Sequence, residues 1–358
     1  MWGISLSKGS IQNGTNRYGQ VAHQMIEEEV SRLEREAPKS QEVPNQLVIT
    51  VDGAFVRLIG GEWKEVKTAT FGEINEKWSQ KRGKVEIKSE TLSYFSQLAP
   101  AETFNRQALY EWHQRGGENA GEIISVNDGA LWIQGFLDYH APQAVRILDF
   151  PHALSYMATI GKAVYGEGTA TFKKWFRQMA KQLKNKPPDR TLSTLKLIQR
   201  NHLGHPQIGE IEQAIRYLEK REEMIDYPHF QQRNLPIGSG SGESAHKIVM
   251  QRRMKQAGMQ WKEEHVNPML ALRTMICNRR WQLLWPQIHQ RQRELAFQEK
   301  AKYYKQGVEI QPEISFRTVK VDADLVKDSI SSQPIQTKKV TAKEDHPWRN
   351  GYWPVRYR

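Results

Sequence analysis

Three short apolar runs, each closed by an acidic residue, constrain this chain more than any other feature. They are Leu47-Val-Ile-Thr-Val-Asp52, Glu122-Ile-Ile-Ser-Val-Asn-Asp128 and Ala144-Val-Arg-Ile-Leu-Asp149. Continuous β-branched runs of this length read as buried strands of a sheet covered on both faces. Two more strands are predicted over 55–59 and 63–71, joined by the hairpin signal Gly60-Gly61. Residues 84–88 read as strand or loop. Helical periodicity opens at Pro100 and closes at Gly116-Gly117, then returns over 130–138 and 152–164. The order is three strands, helix, strand, helix, strand, helix. It implies an α/β fold: a mixed sheet flanked by helices. Chemistry in such sheets collects at the carboxyl ends of the strands, where Asp52, Asp128 and Asp149 are expected to sit.

Much of the rest of the chain up to residue 305 is helical. A helix is predicted over 18–36, with Glu27, Glu28 and Glu29 on its solvated face, and 37–44 reads as a linker. Residues 166–232 form an all-helical insertion between the last strand and the segment around Glu243. Phe172, Phe176, Met179 and Leu183 make its core stripe. Lys173, Lys174, Arg177, Lys181 and Lys184 fill the rest of that helix. Only Glu167 and Asp189 offset them locally, so the face suits phosphates better than plain solvent. A helix over 207–223 is nearly charge-balanced and reads as structural. The expected organisation is 1–45 as an N-terminal helical segment, 46–165 as the first part of the core, 166–232 as the basic insertion, 233–305 as the end of the core, and 306–358 as an irregular tail.

The segment Pro236-Ile-Gly-Ser-Gly-Ser-Gly-Glu-Ser-Ala-His-Lys247 starts a helix from a glycine-rich turn. It places one carboxylate, Glu243, ahead of Lys247, Arg252, Arg253 and Lys255. Glu243 either complements the helix dipole or holds a metal while the cations hold phosphates. If Asp52, Asp128 and Glu243 converge, three carboxylates without a neutralising partner need a cation between them. Oxygen-only ligands suit Mg²⁺ or Mn²⁺. Two such ions about 3.5–4 Å apart clamp the attacking and leaving oxygens of an in-line phosphoryl displacement. Each acid has a plainer reading. Asp128 precedes Gly129 and suits a turn; Asp149 precedes a helix and suits a cap. Asp149 is also the alternative second carboxylate. His152 is a metal ligand, a phosphate contact or a structural histidine. His202 and His205 lack the partners of a metal site. The glycines at 238, 240 and 242 fit neither a phosphate loop nor a dinucleotide fingerprint.

Charge narrows the partners. The chain carries a net +12, which favours a polyanion such as nucleic acid or a membrane surface. No apolar run reaches the roughly 20 residues that span a bilayer. The N-terminus lacks a signal-peptide pattern. One cysteine, Cys277, excludes a disulfide framework and cysteine-rich zinc sites, and fits a reducing cytoplasm.

With these residues in place the chain resembles DDE insertion-sequence transposases of the Kra group, relatives of the Mutator-like superfamily. The matching stretches are Thr50-Val-Asp-Gly53, Asn127-Asp-Gly-Ala-Leu-Trp-Ile133, Ile147-Leu-Asp-Phe-Pro-His-Ala153, the Glu243 segment, Arg253-Met-Lys-Gln-Ala-Gly-Met-Gln-Trp261 and the tail element His346-Pro-Trp-Arg349. The resemblance implies a ribonuclease-H-like core with an all-helical insertion before the last catalytic carboxylate. It implies Asp52, Asp128 and Glu243 as catalytic, metal-holding residues, with Asp149 and His152 as the D-x-x-H element. It implies double-stranded DNA as partner, at element ends and target, a homo-oligomer on DNA and no membrane. Residues 1–45 are shorter than the family's usual DNA-binding region and read as its remnant. Two alternatives remain open: a truncated, non-catalytic DNA-binding remnant, and a nuclease that hydrolyses without joining.

Overall fold

A computed structural model describes residues 6–80 and 83–305; residues 306–358, with the tail element at His346, lie outside it. Residues up to Arg293 form one compact unit, which contains every element described below except the last part of the final helix. Five strands make one sheet: β1 (Gln46–Arg57), β2 (Trp63–Ser79), β3 (Lys84–Gln97), β4 (Glu122–Asn127) and β5 (Val145–Leu148), in the order β3-β2-β1-β4-β5. β2 runs antiparallel to β1 and β3, while β1, β4 and β5 are parallel. The fold is therefore α/β with a mixed sheet, as the alternation of strands and helices predicts.

Side-chain alternation divides the core. Leu47, Ile49 and Val51 face one side, against α2 (Ala101–Gln114) and α3 (Leu131–His140). Val48, Ile124 and Val126 face the other, against α4 (Phe150–Tyr165) and the helical block. That block comprises α5 (Ala170–Asn185), α6 (Pro188–Asn201), α7 (Ile208–Glu219) and α8 (Tyr227–Gln232). Local chemistry starts these helices. Thr169 accepts the Phe172 amide at α5, and Asp226 accepts the His229 amide at α8. The chain then enters α9 (Gly240–Ala245), passes through a π-helical stretch His246–Gln251, and ends in α10 (Arg252–Met254). Ala245, Val249, Met250 and Met254 pack with Val56, Val66 and Tyr94 and with α11 (Val266–Cys277). α1 (Lys8–Glu36) precedes the sheet and α12 (Trp281–Lys305) follows α11.

Several expected boundaries change. The strands predicted at 47–52 and 55–59 are one strand, because β2 pairs continuously along residues 48–57 of β1. Asp52 therefore lies inside β1, opposite Thr68, and not at its end. The ambiguous stretch 84–88 belongs to β3, whose hairpin with β2 runs past the end of β1. The N-terminal helix starts at Lys8 and not near residue 18; the Ser7 hydroxyl accepts the Ser10 amide and caps it. The helix expected over 207–223 ends at Glu219.

Candidate active site

The site grows from a fork in the sheet. Parallel pairing of β1 with β4 stops at Ile49 and Ser125, and Asp52 and Asp128 each stand three residues beyond that last pair. Asp52 continues the face of Val48 and Thr50; Asp128 lies one residue past β4, where the Tyr217 hydroxyl of α7 takes its carbonyl. Both residues thus stand on the side of the sheet covered by α4 and the helical block. Asn127 braces the fork, its side-chain oxygen accepting the Val51 amide. Asp52 is well placed for chemistry despite lying mid-strand, since its side chain is 46% exposed; its Oδ1 accepts the neighbouring Gly53 amide at 2.7 Å.

Asp128 lies in the turn after β4. Its Oδ1 accepts the Ala130 amide at 2.9 Å. Burial pushes its carboxyl above the ordinary range, and Asp52 and Asp149 push in the same direction, against the Ala130 amide and His152. His152 is held below its usual value chiefly by burial, while Asp128, Asp149 and Asp52 all pull it upward. The three carboxylates thus act on His152 electrostatically, and Asp149 also accepts its amide.

Asp149 has a different occupation. Its Oδ2 accepts the His152 amide at 3.0 Å and caps α4, while its Oδ1 accepts the Ser239 amide at 2.7 Å. The Phe150 amide donates to the Ile237 carbonyl at 2.9 Å beside it. Asp149 thus ties the glycine-rich segment to the edge of the sheet, and both of its oxygens are committed to backbone amides. Its raised pKa follows first from burial.

The tether aims α9 across the sheet. Gly242 packs on β1 so closely that an added Cβ would sit 2.5 Å from Thr50 Cγ2, two residues before Asp52. Glu243 is the next residue of the helix; its side chain lies outside the described residues. Thr50 is buried and β-branched and has little room to turn aside. Gly242→Ala should therefore lift α9 from β1, costing about 1–3 kcal/mol of stability as an overpacked site. Thermal unfolding checks this, and an unchanged melting temperature would show that α9 is not seated as described.

Sequence reasoning missed three residues here. His246 follows Glu243 by one helical turn, is 4% exposed, and brings Nε2 to 3.3 Å from Asp52 Oδ2. Neither ring nitrogen makes a well-directed hydrogen bond among the described residues. Its position in a π-helical stretch agrees with the habit of such bulges to occur at functional sites. The i, i+3 spacing after Glu243 was the available signal. The other two, Tyr217 and Arg221, come from the helix read as merely structural. The Tyr217 hydroxyl donates to the Asp128 carbonyl, and Arg221 Nη2 donates to the Gly129 carbonyl at 2.7 Å.

The expected cations are displayed as follows. Lys173, Lys174, Arg177 and Lys181 are exposed along α5, while Lys184 is half-buried with its Nζ 6.0 Å from the Phe150 ring centre. Phe172, Met179 and Leu183 are buried on the opposite face. Lys247, Arg252, Arg253 and Lys255 are exposed on the α9–α10 segment and just beyond it, with Arg253 lying 5.3 Å from the Trp261 ring centre.

Among the described residues, no group of three His, Cys, Asp or Glu side chains stands close enough to hold a metal ion. No described helix is long and apolar enough to cross a membrane. A raised carboxyl such as Asp128 binds its proton more tightly folded than unfolded. Its contribution to stability is therefore fully present at acid pH and falls as pH rises from the ordinary carboxylate range through the raised value. Asp128→Asn keeps the shape and removes the buried charge. It should raise the melting temperature by a few degrees at neutral pH and leave it unchanged at acid pH, measured by calorimetry. A lower melting temperature at neutral pH would show that the Asp128 charge is compensated.

No protein-family model matches the chain, and no curated protein is significantly similar to it.

Proposed function

We propose that this chain is a divalent-metal-dependent DNA transposase that cuts and joins the ends of an insertion sequence by in-line phosphoryl transfer. The observation that carries the reading is the fork of β1 and β4. It sets Asp52 and Asp128 on one side of the sheet, with the helix that bears Glu243 packed over Thr50 beside them. The mixed five-stranded sheet is compatible with the ribonuclease-H-like core expected of such enzymes. The helical block between β5 and α9 agrees with the expected insertion.

The residues fit a hard cation in chemistry. The donors are carboxylate oxygens, and burial, with a smaller push from Asp52 and Asp149, raises Asp128, a cost to its charged form that a bound cation relieves. Asp52, Asp128 and Glu243 would hold Mg²⁺ or Mn²⁺, two ions in this reading, and such ions activate a water or 3′-hydroxyl and stabilise the leaving oxygen. The chain's own contribution is placement. Asp149 fixes the approach of α9, and the exposed cations of α5 and of the segment after Glu243 hold backbone phosphates.

The test uses duplex DNA carrying the sequences that flank the chain's own gene, incubated with Mn²⁺, Mg²⁺ or Ca²⁺. Nicks at defined positions near the flanks with Mn²⁺ or Mg²⁺, and joined products with a target plasmid, are expected. Hydrolysis without joining would make the protein a nuclease. Binding without any ion-dependent cutting would leave a DNA-binding remnant.

A further inference from the structure

The turn Asp128-Gly129 is gripped from outside the sheet. Its two consecutive carbonyls are each taken by a side chain of the helical block: Asp128 by the Tyr217 hydroxyl and Gly129 by Arg221 Nη2 at 2.7 Å. Tyr217 and Arg221 are one helical turn apart, Tyr217 in α7 and Arg221 just past its end. They brace each other. The Arg221 guanidinium lies 3.7 Å from the Tyr217 ring centre, and its Nη1 donates to the Tyr217 carbonyl at 3.1 Å. Tyr156 of α4 stacks on the Tyr217 ring at 3.9 Å and 13°. The Tyr217 hydroxyl also lies 3.4 Å from His152 Nε2. Burial pushes the Tyr217 phenol well up, so it stays a donor at neutral pH.

The turn is shaped to be held this way. Gly129 has φ of +78°, and a Cβ there would lie 2.7 Å from Arg221 Nε and 2.8 Å from the Tyr217 hydroxyl. Both the backbone conformation and the closeness of the grip exclude a side chain. The next amide, that of Ala130, is the one that donates to Asp128 Oδ1. Holding the two carbonyls therefore fixes the peptide units that aim the Asp128 carboxylate.

We propose that Tyr217 and Arg221 are positioning residues through which the helical insertion sets the Asp128 carboxylate for ion binding. The proposal deepens the transposase reading and rests on it for its catalytic consequence. Groups that orient a metal-binding side chain typically alter affinity or activity by about 10–100-fold when removed.

Tyr217→Phe removes the hydroxyl and keeps the stacked ring, and is the milder variant; Arg221→Ala removes the other hold. Two readouts are taken on the full chain: amide hydrogen exchange at Ala130, and the Mn²⁺ concentration that half-saturates DNA cleavage. Each variant is expected to speed exchange at Ala130 and to raise the half-saturating Mn²⁺ by about 10-fold or more. Excess Mn²⁺ should restore much of the rate, and KM for DNA should not move. A merely structural loss would lower the melting temperature and DNA affinity together and would not be rescued by the ion. Unchanged exchange at Ala130 with an unchanged Mn²⁺ requirement overturns the proposal. If the unaltered protein cuts no DNA, the transposase reading fails by itself. Exchange at Ala130 then decides the grip alone: faster exchange sustains it, and unchanged exchange ends it.

Discussion

Asp52→Asn should reduce ion-dependent DNA cleavage by at least about 10³-fold while leaving DNA affinity within about twofold of the unaltered protein. The substitution keeps the side-chain shape and an oxygen able to accept the Gly53 amide, so the strand is not disturbed. It removes the negative charge that an ion needs, at a side chain open to solvent on the sheet face of the site. Glu243→Gln should behave in the same way if α9 delivers its carboxylate across β1. Cleavage assays and equilibrium binding on the same duplex separate the two effects. Undiminished cutting by Asp52→Asn would remove that residue from the site.

The second large effect concerns salt. A surface that holds DNA through six to ten phosphates loses roughly 10³–10⁵ in affinity between about 50 and 200 mM salt, because bound counterions are released. The net charge of +12 and the exposed row Lys173, Lys174, Arg177 and Lys181 predict such a slope for this chain. Replacing those four by Gln should flatten the log–log slope by about three to four, near one for each phosphate no longer neutralised. These residues stand on the face of α5 opposite its buried stripe, so the substitutions should not disturb folding. Fluorescence anisotropy across a salt series measures both slopes. An equal slope in the variant would assign the row to solvent and leave the segment after Glu243 as the remaining basic surface.

The sequence carries the sheet well where burial is two-sided. The apolar runs closed by Asp128 and Asp149 are strands: β4 is buried over residues 123–127 and β5 at Ile147 and Leu148, and continuous hydrophobicity reports that directly. β1 is harder to read. Its outer half, past Asp52, pairs with β2 after β4 has left it, so its burial weakens and it imitates a strand end followed by a second strand. The β2–β3 hairpin runs past β1, and in residues 84–88 Val85 and Ile87 give only a short alternation. Asp149 was legible as a cap from the Asp149-Phe-Pro-His152 pattern, but not as the tether of Ser239, which lies 90 residues away. Tyr217 and Arg221 were hidden for the same reason. Their partners are backbone carbonyls 89 and 92 residues away, and backbone atoms leave no mark in a sequence. His246 stood in view one turn after Glu243, yet only the packing of α9 on β1 shows that it reaches Asp52.

The most direct test is anomalous scattering from Mn²⁺ in crystals of the protein. The account predicts manganese density within about 2.0–2.3 Å of carboxylate oxygens of Asp52 and Asp128, with Glu243 completing the set from α9. Density elsewhere only, or Glu243 turned away from Asp52 while Mn²⁺ saturates the crystal, would contradict it.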